Sequence, residues 1–214
     1  MIVFKNIKGN TLINKYSVIV FDLGNVLLPF NYAGTINSLN GKSPGLGDHF
    51  LRYYKENREV LRDYERGDIS GEEFLNNVLT GLNNKVSKEE FVNYFSKVFT
   101  VNEKLVSLLP KLKEKYTLVL LSNTNSIHEE YGWKNYSFLK YFDKFILSYQ
   151  VHAVKPEIEI YKSAEAITQK PPQEHIFVDD IAENVEGAIK AGWDAVQYTG
   201  YDKLIADFKE RNIL

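Results

Sequence analysis

There is no cysteine among the 214 residues, so disulfide bonds and thiolate metal sites are excluded. No apolar run is long enough to span a bilayer. A dense stretch of one charge is missing too. Twenty-six Lys and Arg stand against 28 Asp and Glu, for a formal charge of −2. That balance gives no electrostatic reason to expect a nucleic acid or an anionic membrane as partner. The opening residues, MIVFKNIKGNTLINKYS, lack the apolar middle and small-residue cleavage site of a secretory signal. The expectation is a soluble cytoplasmic protein, with its oligomeric state left open. Hydrophobic residues at 44% and charged residues at 25% are ordinary globular values and argue against disorder. The length suits one domain with a modest insertion.

What the chain does hold is a set of polar residues, each just past a short apolar run. They are Asp22 in VIVFDLGNV, Ser122 in LVLLSNTN, Lys155 in AVKPE, and Asp179 with Asp180 in IFVDD. The runs are continuous in Val, Ile, Leu and Phe rather than alternating, as expected of strands covered on both faces. Ligands of open parallel sheets sit at the carboxyl ends of the strands, so these residues are expected to converge on one crevice. Three carboxylates, one ammonium and one hydroxyl there suit a magnesium-dependent phosphate site.

The spacing of elements predicts the organisation. Residues 1–16 form an extension without an assigned role. A strand from about Ser17 to Asp22 is broken by Gly24 and Pro29, and the next strand of this kind starts only near Tyr116. That gap is far longer than a crossover needs, so a folded insertion is expected. Helical spacing covers Phe50, Tyr53, Tyr54, Val60, Leu61 and Tyr64. Ser70 with Glu73, and Ser87 with Glu90, read as capping boxes, and Gly81 as a helix stop. Residues 40–47, rich in Gly with Ser and Pro, read as a mobile loop. From about Val101 the pattern alternates: a helix over 102–115, strand TLVLLS, a further helix with a tyrosine-rich connection, strand KFILS, a helix near 157–168, strand HIFVDD, helix ENVEGAIKAG, strand DAVQYT and a last helix. The fold class is therefore α/β, a Rossmann-like doubly wound parallel sheet with a small helical bundle inserted after the first strand. The divisions are 17–30 with 101–214 for the core and 31–100 for the inserted cap.

In this order FDLGN, LSNTN, VKPE and VDDIAEN resemble the haloacid dehalogenase superfamily of aspartyl-nucleophile hydrolases. The phrases FDLGNVLL and LSNTNSIH and the RGDIS element are most similar to its bacterial sugar-phosphate phosphatases acting on glucose 1-phosphate. The likeness runs from Ser17 to about Tyr198. It implies that Asp22 attacks phosphorus to form an aspartyl-phosphate, that Ser122 holds a phosphoryl oxygen beside Asn123, and that Lys155 neutralises charge. It also implies a Mg2+ ion held by Asp22, the Gly24 carbonyl and Asp180, with Asp179 reaching it directly or through water. Ser122 has a second reading as a helix N-cap. Asn184 is expected to buttress Lys155 or the loop.

The chain departs from the superfamily at Gly24, where most of its phosphatases carry a second aspartate that protonates the leaving oxygen. Such a group is typically worth about 10²–10⁴-fold in rate. Its loss points to slow turnover or to a leaving group that departs readily, as from an anomeric sugar phosphate. His128 is a proton-shuttle candidate, with a packing role the stronger reading. Glu65 and Arg66, before Gly67, are candidates for reading the substrate. Two alternatives to a phosphatase are a metal-independent dehalogenase, disfavoured by the acidic pair, and a phosphate-binding relative with little turnover, supported only by Gly24.

Overall fold

Five of the apolar runs pair as parallel strands in the computed structural model, which describes residues 3–5, 11–13 and 15–214. Val3–Lys5 (β1) and Thr11–Ile13 (β2) form a separate antiparallel pair, a structure the sequence reading did not assign. Tyr16, counted with that extension, is buried in the main core. The parallel strands are Val18–Phe21 (β3), Thr117–Ser122 (β4), Lys144–Leu147 (β5), His175–Asp179 (β6) and Asp194–Gln197 (β7). They lie in the order β5-β4-β3-β6-β7. The chain leaves β3 to one side for β4 and later returns to its other side for β6. A crevice therefore opens at the carboxyl ends of β3, β4 and β6.

Side chains alternate across a strand, and both faces of this sheet are covered. Ile19, Phe21, Leu118, Leu120, Ile176 and Val178 enter one apolar cluster, and Val18, Val20, Val119, Leu121 and Phe177 the other. This two-sided burial is why the strands read as unbroken hydrophobic runs. Each such side chain contributes roughly 1.5–3 kcal/mol on burial.

Between β3 and β4 lie Ala33–Lys42 (α1), Leu46–Glu56 (α2), Arg58–Arg66 (α3), Gly71–Gly81 (α4) and Lys88–Ser96 (α5). They share an apolar cluster built on Leu39, Phe50, Tyr64, Phe74, Phe91 and Phe95. Ser87 and Glu90 cap α5 reciprocally, at 3.2 and 3.0 Å. Ser70 Oγ accepts from the Glu73 amide at 3.1 Å to start α4. The 40–47 loop is largely helix: α1 runs to Lys42 and α2 begins at Leu46, joined through Gly45 at φ 79°. There Asn40 Oδ1 accepts from the Gly47 amide at 2.8 Å. Gly81 is the last residue of α4, where the sequence placed the stop, and any Cβ there would collide with the Tyr53 ring. Close packing, not a left-handed turn, selects that glycine.

The core resumes with Glu103–Val106 (α6) and Leu109–Lys113 (α7). One helix was expected here. Pro110, in the first turn of α7, has no N–H to donate backwards, so the chain makes two short helices. The helix expected after β4 is instead a single wide turn, His128–Trp133, bonded five residues apart, then a 3₁₀ turn at Ser137–Tyr141. The wider pitch turns both His128 and Trp133 inward. Ser148–Val151 (α8), Ile158–Thr168 (α9), Ala182–Lys190 (α10) and Tyr201–Glu210 (α11) complete the layers. No helix among the described residues is long and apolar enough to cross a membrane.

Candidate active site

Asp22 follows the last residue of β3, and its amide donates to the Val178 carbonyl of β6 at 2.9 Å. Pairing continues to the strand end, so the side chains of Asp22 and Asp179 project beside one another. Both are buried, and Lys155 Nζ lies 2.6 Å from each. Its ammonium also sits 5.4 Å from the centre of the Phe177 ring. Burial opposes the charge on Lys155, but the two carboxylates outweigh it and hold the ammonium above its ordinary range. Burial pushes Asp22 upward, and the Asp179 charge adds to this while Lys155 works against it. Asp180, half-buried, is also raised, first by burial and then by Asp179.

Carboxylate oxygens of Asp22, Asp179 and Asp180 come within 4.8 Å of one another. Three carboxylates against one ammonium leave a double negative charge, which a divalent cation would cancel. All-oxygen donors on loop and strand ends match the chemistry of Mg2+. Among these carboxylates Asp179 is the most engaged. It meets Lys155, accepts from the Ile181 amide at 2.8 Å, and accepts from Asn184 Nδ2 at 3.1 Å on both oxygens. Asn184 was expected to buttress Lys155 or the loop, and of the two it holds the loop side, through Asp179. Asp22 and Asp180 are the freer donors.

Ser122 is buried at the end of β4, and the next residue fixes Lys155. Asn123 Oδ1 accepts from the Lys155 amide at 2.8 Å, and its Nδ2 donates to the Lys155 carbonyl at 3.1 Å. The N-cap role considered for Ser122 belongs to Asn125, whose Oδ1 accepts from the His128 amide at 3.0 Å. Ser122 and Asn123 line a cavity of about 100 Å³. Gly24, Phe30, Tyr32, Tyr54, Glu65 and Trp133 lie around the same space. The aromatic residues were missed in the sequence, because aromatic residues at helical spacing look like ordinary core.

Glu65 reaches that space because α3 is pinned on either side of it. Tyr64 Oη accepts from the Ile127 amide at 3.1 Å and pairs with Ser126 Oγ at 2.7 Å. Arg62 meets Glu157 at 3.1 Å, and Arg66 ion-pairs with Glu157 and with Asp68. Arg66 is thereby drawn away from the cavity, contrary to the substrate-reading role considered for it. Gly67 closes α3 at φ 82°, and an added Cβ would overlap the Tyr149 carbonyl. Gly67→Ala is expected to cost about 2 kcal/mol in a urea titration, from left-handed strain and this backbone clash. An unchanged midpoint would contradict tight docking of α3.

His128 lines the cavity but is not available to move protons. Its Nε2 lies 3.2 Å from the Phe95 carbonyl, which can only accept, and Nδ1 lies 3.3 Å from Asn125 Nδ2. The ring stacks on Phe95 at 4.3 Å, and burial lowers its pKa to about 4. It is a neutral, satisfied packing residue at pH 7.

The model of the haloacid dehalogenase-like hydrolase family matches residues 16–192. A D-ribitol-5-phosphate phosphatase from Bacteroides thetaiotaomicron is 27% identical over 190 residues, covering 84% of this chain and 90% of that protein. A HAD family enzyme from the same organism superposes with a TM-score of 0.78 at 26% identity, over 90% of this chain and 98% of that one. Its wild-type complex with magnesium and inorganic phosphate gives 0.72 at 27% identity, over 87% and 96%.

Proposed function

This chain belongs to the haloacid dehalogenase-like hydrolase family, and from that membership we propose that it is a magnesium-dependent phosphatase of a small phosphorylated sugar or sugar alcohol. The observation that carries the reading is Lys155 Nζ, 2.6 Å from both Asp22 and Asp179, within a cluster that also holds Asp180. A phosphatase relative and a neighbour crystallised with magnesium and phosphate support the reaction class. A hexose 1-phosphate, suggested by the wording of the motifs, and a pentitol 5-phosphate, suggested by that relative, are two substrates within the class.

In this reading a carboxylate oxygen of Asp22 attacks phosphorus, the ester P–O bond breaks, and the leaving oxygen takes a proton. Water then attacks phosphorus and regenerates the Asp22 carboxylate with inorganic phosphate. Lys155 balances charge on the nucleophile as the phosphoryl group transfers. Ser122 Oγ and nearby amides hold a non-reacting oxygen. Mg2+, held by Asp22, Asp180 and the Gly24 carbonyl, would offset the charge of the phosphoryl oxygens. The helical insertion over the crevice would exclude bulk water during transfer.

The test is a panel including glucose 1-phosphate and ribitol 5-phosphate, with and without magnesium. Phosphate release that disappears with chelator and returns with added Mg2+ is the expected result. Chelator-insensitive halide release from a 2-haloacid would favour a dehalogenase. Phosphate binding without hydrolysis of any ester would favour a non-catalytic relative.

A further inference from the structure

If the chain is a phosphatase, the position that usually supplies a proton to the leaving oxygen is filled by Gly24. A Cβ built there would point at the Phe30 ring, 3.2 Å away, so an aromatic side chain occupies the space an acidic one would need. Glu65 lines the same cavity as Gly24, Ser122 and Asn123. Its neighbours on α3 are each tied down: Tyr64 to Ser126 and Ile127, and Arg62 and Arg66 to Glu157. No hydrogen bond or ion pair holds the Glu65 carboxyl itself among the described residues.

We propose that Glu65, delivered by the inserted helices, is the proton donor that replaces the missing aspartate. This rests on the phosphatase reading and deepens it. As the ester P–O bond breaks, Glu65 gives its proton to the leaving alcohol oxygen and becomes a carboxylate. In the second step that carboxylate takes a proton from the water attacking phosphorus, and phosphate leaves with Glu65 neutral again. The balance needs no other reactant.

The surroundings favour a protonated acid. Burial pushes Glu65 up to about 7, with the Lys155 ammonium pulling it down. Tyr32 and Tyr54 face it from α1's start and from α2. Both stay neutral, Tyr32 raised well above its usual value and Tyr54 to about 12, first by burial. His128, which lines the same cavity, is uncharged at pH 7. Asp22, Asp179 and Asp180 are the acidic groups clustered at the strand ends of the same crevice.

The discriminating experiment pairs two esters, ribitol 5-phosphate with a poor alkoxide leaving group and p-nitrophenyl phosphate with a good one. Glu65→Gln should lower kcat on the alkyl ester by about 10²–10⁴-fold with little change in KM, and affect the aryl ester less than tenfold. The fall of wild-type kcat above about pH 7 on the alkyl ester should vanish in the variant. Glu65→Asp, a shorter acid, should keep part of the activity. Equal losses on both esters, or a loss confined to KM, would make Glu65 a binding residue and overturn the proposal. Wild-type hydrolysis of neither these esters nor glucose 1-phosphate would sink the phosphatase reading and the proposal with it. Retained wild-type activity with an unaffected variant would sink only the role of Glu65.

Thermal unfolding gives a readout independent of turnover. A carboxyl whose folded pKa is raised contributes stability below its unfolded value of 4.5 and loses it as pH rises through about 7. The Tm of Glu65→Gln relative to wild type should therefore climb between pH 4.5 and 7 and level off above. A flat difference would show that Glu65 is not held protonated.

Discussion

Asp22→Asn should lower phosphate release at least about 10⁴-fold at saturating magnesium, measured on the best ester of the panel. An amide oxygen is too poor a nucleophile to form the acyl phosphate that the proposed reaction requires. The exchange is close to isosteric, and Asn Oδ1 still accepts the hydrogen bond that Lys155 now gives to Asp22 Oδ1 at 2.6 Å. Burial disfavours a charge at this position, so the variant should be as stable as wild type or more so in the absence of metal. Lost turnover with an undiminished Tm separates chemistry from folding. Residual activity near one per cent or higher would place the nucleophile elsewhere.

The chemistry was legible in the sequence to the extent that it sits on strand ends. Asp22, Ser122 and Asp179 each close a run buried on both faces, and the parallel register places such ends side by side whatever the intervening length. Lys155 was equally readable as a partner for the acids. Nothing local marked the double hydrogen bond from Asn123 that fixes its backbone. Roles on helices were harder to read. Glu65 and Arg66 are adjacent, yet one helical step of about 100° sends one into the cavity and the other to Glu157. Which of them faced the crevice depended on how α3 docks, a long-range property set by Tyr64 and Gly67. His128 shows the same limit: its partners Phe95 and Asn125 decide its tautomer, and Phe95 lies on a distant helix.

The two layers also divide the work. The sheet ends carry the acids in a rigid frame of hydrogen-bonded, buried strands, and the loop between α8 and α9 brings the ammonium to them. The insertion carries aromatic rings and one carboxyl facing that frame. Changes in α1–α3 should therefore alter which ester is accepted and how its oxygen leaves. Changes at the strand ends should remove turnover for every ester alike.

Replacing the ammonium should do most harm to the fold. Lys155→Met keeps the apolar stem over Phe177 but leaves Asp22 and Asp179 buried with no counter-charge. Removing one partner of a buried, hydrogen-bonded ion pair typically costs about 3–5 kcal/mol, since the remaining charge stays out of water. Urea unfolding with chelator at pH 8 should show a loss of that size. Protonating one carboxylate relieves the repulsion, so the deficit should shrink as pH falls toward 5; the sign follows because burial raises the Asp22 pKa and favours its neutral form. Added Mg2+ should restore part of the stability by supplying positive charge to the same oxygens, without restoring normal turnover. A variant as stable as wild type at pH 8 without metal would mean that the two aspartates are not both charged in the folded protein, and the charge balance assigned to the site would be wrong.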